Sequence, residues 1–172
     1  MKVTSDAHWK KCIQRMQAST EIDVCVPDTF QAELRPYQQE GIAWMQRLAA
    51  WGVGGCLADD MGLGKTVQTL GVLLQRAADG PAIVIAPTSV VHNWHDEITR
   101  FAPTLQPRIL AESSRAELLD SLAPHDVLLC SYGLMQNEIN KLEKIDFNTL
   151  VLDEAQAIKN AATQRSKAAK RL

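Results

Sequence analysis

Along most of this chain, short apolar runs alternate with segments of helical period. The runs at residues 55–58 (GCLA), 82–86 (AIVIA), 108–111, 126–130 (DVLLC) and 149–152 (TLVL) read as strands, being too short for helices and rich in aliphatic residues. Residues 65–78, 90–101, 114–122 and 132–142 lie between them and read as helices. In the second of these, Val90, Trp94, Ile98 and Phe101 recur at helical spacing, which places Trp94 in a core rather than on a base-stacking platform. The alternation predicts a mainly parallel α/β sheet with flanking helices. Upstream, residues 8–18 suit a short helix and TEIDVCVPDT a connector. The stretch LRPYQQEGIAWMQRLAAW suits a longer helix with proline at its first position and Tyr37, Met45 and Leu48 near one face. The coil from Ser19 to Thr29 is the one plausible internal boundary, dividing an arm, 1–29, from a domain, 30–172.

Composition narrows this picture without redirecting it. The chain has 172 residues, 46% hydrophobic and 22% charged, which suits one globular domain with a real core. No apolar run reaches the length of a membrane-spanning helix, and the opening MKVTSDAHWKKCIQRM has no apolar core of a secretory signal. Cys12, Cys25, Cys56 and Cys130 are widely spaced with no C-x-x-C pair, which reads as reduced thiols. The net charge of −2 argues mildly against a free-standing nucleic-acid binder, although residues 159–172 hold Lys159, Arg165, Lys167, Lys170 and Arg171 and no acid. His92 and His95 form H-x-x-H in a helix with no third ligand in sight, so they read as a solvated surface rather than a metal site.

Candidate chemistry concentrates at two strand ends. In LADDMGLGKTVQT, residues 57–69, an apolar run leads through a glycine-rich turn into a helix. Backbone N–H groups at such a helix start face an anion, and the helix dipole adds favourable potential. Asp60, Met61, Gly62, Leu63, Gly64, Lys65 and Thr66 are therefore the candidate nucleotide loop, with Lys65 for the β- and γ-phosphates and the Thr66 hydroxyl for Mg²⁺. The strict pattern G-x-x-x-x-G-K-[ST] asks for glycine where this chain has Asp59. In FNTLVLDEAQ an apolar run ends in two carboxylates. Asp153 is placed to hold Mg²⁺, and Glu154 to orient and deprotonate an attacking water.

These motifs carry a resemblance. ADDMGLGKT, DEAQ followed by AIKN, and LRPYQQEGIAWM upstream resemble the SWI/SNF-like ATPase family of superfamily II, helicase-related motors that translocate on double-stranded DNA. The resemblance runs from about Leu34 to Leu172 and points to a bacterial-type member. The family has an acidic residue where other NTPases have the first loop glycine, which accounts for Asp59; Asp60 in place of its usual glutamate is a small departure. The resemblance implies a first RecA-like lobe using ATP and Mg²⁺, with Gln38 recognising adenine and Gln156 coupling the nucleotide site to a neighbouring lobe. It also implies DNA-backbone contacts from Thr88 and Ser89 in IAPTSVVHNW and from Ser131 and Tyr132 in LLCSYGLM. From the residues themselves, Thr88 and Ser89 suit helix capping equally, and Ser131 and Tyr132 a satisfied strand-end turn.

The resemblance further implies a second RecA-like lobe supplying arginine fingers, and a strand ahead of Thr-Gly-Thr lying between the loop strand and the Asp-Glu strand. Neither is found in these residues. The expectation is therefore a partial lobe, truncated before that strand, of low stability and poor at hydrolysis alone. Its partners would be the double-stranded DNA backbone, the other lobe and a protein displaced or remodelled on DNA, and its location cytoplasmic, nucleoid-associated in a bacterium. The competing expectation is a truncated nucleotide- or DNA-binding module without turnover. A P-loop kinase or GTPase leaves Asp59, the glutamine motif and DEAQAIKN unexplained, and a nicotinamide-type fold would need G-x-G-x-x-G after a strand.

Overall fold

The computed structural model of the chain describes residues 6–21, 25–60, 62–110 and 115–172. Met61, Ala111 and Ser114, each part of an expectation above, lie outside these residues, as does the middle of the connector at 22–24.

Four strands form one parallel sheet: β1 (Ala82–Ala86), β2 (Gln106–Ile109), β3 (Asp126–Ser131) and β4 (Thr149–Leu152), in the order β2-β3-β1-β4. The central strands β1 and β3 are buried along their whole length, as their unbroken aliphatic sequences require of a sheet covered on both faces. Successive side chains enter opposite cores. Val84 and Leu129 pack under α3 (Lys65–Arg76) and α4 (Val91–Phe101), against Leu70, Leu73, Trp94 and Ile98. Ile83, Ile85, Leu128 and Cys130 pack on the other face under α5 (Arg115–Asp120), α6 (Tyr132–Leu142) and α7 (Gln164–Ala169), against Leu119, Met135, Ile139 and Leu142. Burial pushes the Cys130 thiol up to about 12, so it stays protonated.

Ahead of the sheet, α1 (Ala7–Thr20) packs along α2 (Pro36–Trp51), and α2 along α3. The Asp6 carboxylate caps α1 by accepting from the Trp9 amide at 2.7 Å. Helix α1 runs two residues further than expected, into the coil that was read as beginning at Ser19. The buried face of α2 is Gln38, Ile42 and Gln46, not the expected stripe of Tyr37, Met45 and Leu48, and Tyr37 is 39% exposed. Ile42 packs against Gly71 of α3, and Gln38 bonds to the Leu63 carbonyl in the turn ahead of α3. Nothing in the structure explains the burial of Gln46, whose side-chain amide has no hydrogen-bond partner among the described residues.

The expected strand at 55–58 is absent. Gly55, Cys56 and Ala58 are exposed and join no ladder. Among the described residues no strand lies beside the segment to pair with it, and Gly55 makes ordering costly without one. The sequence pattern that suggested it is shared by paired and unpaired apolar runs. Consistently, the loop segment and the Asp-Glu strand do not pair: β4 bonds to β1 on one side and has no ladder partner on the other among the described residues. The expected strand at 108–111 begins two residues earlier.

Candidate functional site

The direction of α3 sets the geometry of the site. At its carboxyl end, Arg76 donates from Nε to Thr149 Oγ1 at 2.9 Å and from its guanidinium to the Asn148 carbonyl at 3.1 Å, at the start of β4. The carbonyl of Ala77, just beyond α3, accepts from the His125 amide, at the start of β3. The helix lies along the sheet from there, so its N-terminus stands at the carboxyl ends of the strands. Asp153 follows β4 at that same end, where ligands gather in open α/β sheets.

At this N-terminus Gly62 and Gly64 have φ of 85° and 75°, in the left-handed region that glycine adopts at no steric cost. A Cβ on Gly64 would also collide with Gln38 Nε2. No side chain caps α3, so its first amides are open to an anion. Lys65 curls back over the loop, donating to the carbonyls of Asp59 at 2.7 Å and Asp60 at 3.0 Å. Thr66 is half-buried in the first turn. Gln38 is held at both ends: its Oε1 accepts from the Arg35 amide at 2.9 Å, and its Nε2 donates to the Leu63 carbonyl at 3.2 Å. The exposed Tyr37 donates its hydroxyl to that same carbonyl.

Asp59 has a structural explanation that sequence reading missed. Gln68 is only 1% exposed, and its Nε2 donates to Asp59 Oδ2 at 3.2 Å. The other end of that amide lies against Gly41, close enough to exclude any Cβ there.

The second half of the site is equally braced. The Asp153 amide donates to the Ile85 carbonyl at 2.8 Å, and its carbonyl accepts from the Tyr132 hydroxyl at 2.8 Å. Its carboxylate accepts from the Trp94 indole N–H at 2.9 Å on Oδ2 and from the Glu154 amide at 3.0 Å on Oδ1. Trp94 is core, as expected, but its polar edge was not foreseen. Glu154 is exposed with φ of 51°, a left-handed conformation that costs a non-glycine residue about 1 kcal/mol or more and collects at functional sites. Its side chain accepts from Gln156. Burial, then the charges of Asp153 and Glu154, push the Tyr132 hydroxyl up to about 12. Glu97, on α4, is pushed up by burial, pulled down by Arg100 and raised again by Asp153.

The residues implied as DNA contacts divide. Thr88 and Ser89 are exposed between β1 and α4. Neither caps α4, whose N-cap is Val90 with no side-chain bond, so the capping role expected of them is corrected. The intervening turn, closed by the Val90 amide on the Pro87 carbonyl, sets the helix start one residue too late for them. Ser131 is buried and caps α6 by accepting from the Leu134 amide. With Tyr132 bonded to Asp153, this strand end has the satisfied turn that its residues suggested.

Residues 37–172 match the model of the SNF2-related domain. The chain belongs to that family. This SNF2-related domain is 44% identical over 155 residues to the putative ATP-dependent helicase/translocase YwqA of Bacillus subtilis, covering 86% of the chain and 17% of that protein. It is 37% identical over 163 residues to the chromatin-remodeling ATPase INO80 of Sclerotinia sclerotiorum, covering 86% of the chain and 10% of that protein. The SWI2/SNF2 ATPase core of Sulfolobus solfataricus, solved in complex with double-stranded DNA, superposes with a TM-score of 0.79 at 38% identity, covering 88% of this chain and 32% of that one. The domain therefore has the RecA-like lobe architecture of a SWI2/SNF2 ATPase core, and it spans a small part of the relatives it matches.

Proposed function

We propose that this SNF2-related domain is the ATP-binding lobe of a DNA-dependent ATPase that translocates along double-stranded DNA. The observation that carries the reading is the uncapped start of α3, under a left-handed glycine turn and beside Lys65, at the same sheet end as Asp153 and Glu154. The donor set suits magnesium-bound ATP: open helix amides, a lysine ammonium and the Thr66 hydroxyl at the start of α3, and a carboxylate at the end of β4. When bound, the magnesium ion would neutralise phosphate charge and polarise the bond to be broken.

The chain's own residues divide the work. Lys65 exchanges its two carbonyl acceptors for phosphate oxygens. Thr66 and Asp153 would hold the metal, and the amides of Gly62, Leu63, Gly64 and Lys65 would orient the phosphates in the loop that follows Asp60. Gln38 reads the base by exchanging its Arg35 and Leu63 partners for the base edge, an amide being able to donate and accept at once. Glu154, exposed beside Asp153, takes a proton from the attacking water. Gln156, bonded to Glu154, passes the state of the site to a second lobe. Thr88 and Ser89, exposed beyond β1, meet the DNA backbone, whereas Ser131 and Tyr132 are buried and serve the strand-end turn; contacts to phosphate rather than to base edges suit a motor that moves over any sequence. An arginine from a second lobe would complete charge neutralisation, a contribution of about 10³ to 10⁵ in rate.

Phosphate release by this chain, with and without duplex DNA, tests that division. Turnover is expected to be negligible under both conditions, and to appear when a second RecA-like lobe is supplied, where Glu154→Gln abolishes it. DNA-stimulated turnover by these 172 residues alone would overturn the assignment of a catalytic group to a second lobe.

A further inference from the structure

Trp94 is 3% exposed, on the inner face of α4 with Val91 and Ile98. A side chain needed there only to fill space could be phenylalanine or leucine. Tryptophan brings an N–H that must find an acceptor once buried. Its acceptor is Oδ2 of Asp153, 2.9 Å away and 59 residues along the chain. The second carboxylate oxygen is held by the Glu154 amide. These two bonds fix the plane of the carboxylate, and the Ile85 carbonyl and Tyr132 hydroxyl fix the backbone that carries it. The donor is also neutral. An arginine or lysine in its place would cancel the charge of Asp153 and compete with a cation, whereas an indole orients the carboxylate and leaves its charge and remaining lone pairs available.

We propose that Trp94 is a positioning residue for the metal: its indole N–H holds the Asp153 carboxylate in the orientation that receives Mg²⁺. This rests on the magnesium–nucleotide reading above and concerns a residue that touches neither ion nor nucleotide. Outer-sphere hydrogen bonds of this kind set ligand orientation, and their loss costs about 10- to 100-fold in metal affinity.

The test is a titration of a fluorescent ATP analogue against free Mg²⁺, with a parallel titration in EDTA. It compares wild type, Lys65→Ala, Trp94→Phe and a site-specific replacement of Trp94 by benzothienylalanine, which keeps the bicyclic shape and lacks the N–H. The Mg²⁺ concentration for half-maximal binding should rise about tenfold or more in both Trp94 variants, while Mg²⁺-free affinity and the urea midpoint of the isosteric variant stay at wild-type values. In the metal-free chain, the Trp94 indole ¹H–¹⁵N resonance should shift on Asp153→Ala. An isosteric variant with wild-type Mg²⁺ dependence would overturn the proposal even if Trp94→Phe fails to fold. If Lys65→Ala also binds normally, the nucleotide site itself is wrong and the proposal falls with it.

Discussion

Asp59 stands where the strict phosphate-loop pattern has glycine, and its carboxylate is the acceptor for a buried glutamine. Replacing it with the glycine of the general pattern therefore weakens this protein. In Asp59→Gly, Gln68 Nε2 loses its partner in a position closed to solvent, and an unsatisfied buried donor costs about 1–3 kcal/mol. Urea denaturation should show a loss of that size, with Asp59→Asn, which retains an acceptor, falling between. A wild-type midpoint for Asp59→Gly would mean that the Gln68 contact carries no energy. At this scale the sequence was readable where chemistry is local: Lys65, Thr66, Asp153 and Glu154 announce themselves by type and by position in a motif. Gln68 and the polar edge of Trp94 did not, because their partners lie on other elements. Spacing along one helix does not say what meets its buried face, and in α2 it did not give the face itself.

Elements are tied to one another by a few polar contacts as well as by their apolar faces. Glu138 on α6 accepts from Arg115 of α5 at 2.7 Å and pairs with Lys141, one turn on, at 2.9 Å. Hydrogen bonds from Lys141 and then Arg115 hold its carboxyl below the ordinary value of 4.5. A carboxyl that ionises more readily in the folded state stabilises the fold fully above its unfolded value. That contribution is lost as pH falls through the lower folded value. Wild type should therefore lose stability below about pH 4.5, and Glu138→Gln, already without the contribution at neutral pH, should show a shallower decline when urea midpoints are compared across pH. Parallel curves for the two proteins would remove α5–α6 pairing from the acid response. The helices α3, α4 and α6 were legible because each carries an apolar stripe at helical spacing. Residues 55–58 were misread because a strand is a property of a pair, and no periodicity within four residues reveals whether a neighbour is present.

Across the whole molecule, the sheet is unevenly supported. The strand β1 lies between β3 and β4 and is closed over on both faces, whereas β4 is half-exposed along its length and paired on one side. Asp153 and Glu154 follow directly from this edge strand. Native-state hydrogen exchange should therefore rank the amides of β4 well below those of β1 and β3, since protection follows burial and pairing. Equal protection would indicate that β4 is covered in solution. Fold class was legible from the alternation of strands and helices, but strand order was not, because it depends on which apolar faces meet after the chain crosses over.

The central claim is that the start of α3 and the end of β4 form one site for magnesium-bound ATP. Equilibrium binding of Mg-ATP to this chain and to Lys65→Ala tests it most directly. Saturable binding that is abolished by the substitution, with the fold of the variant intact by circular dichroism, is the expected result. Equal affinity in the two proteins, or no binding by the wild type, would contradict the site.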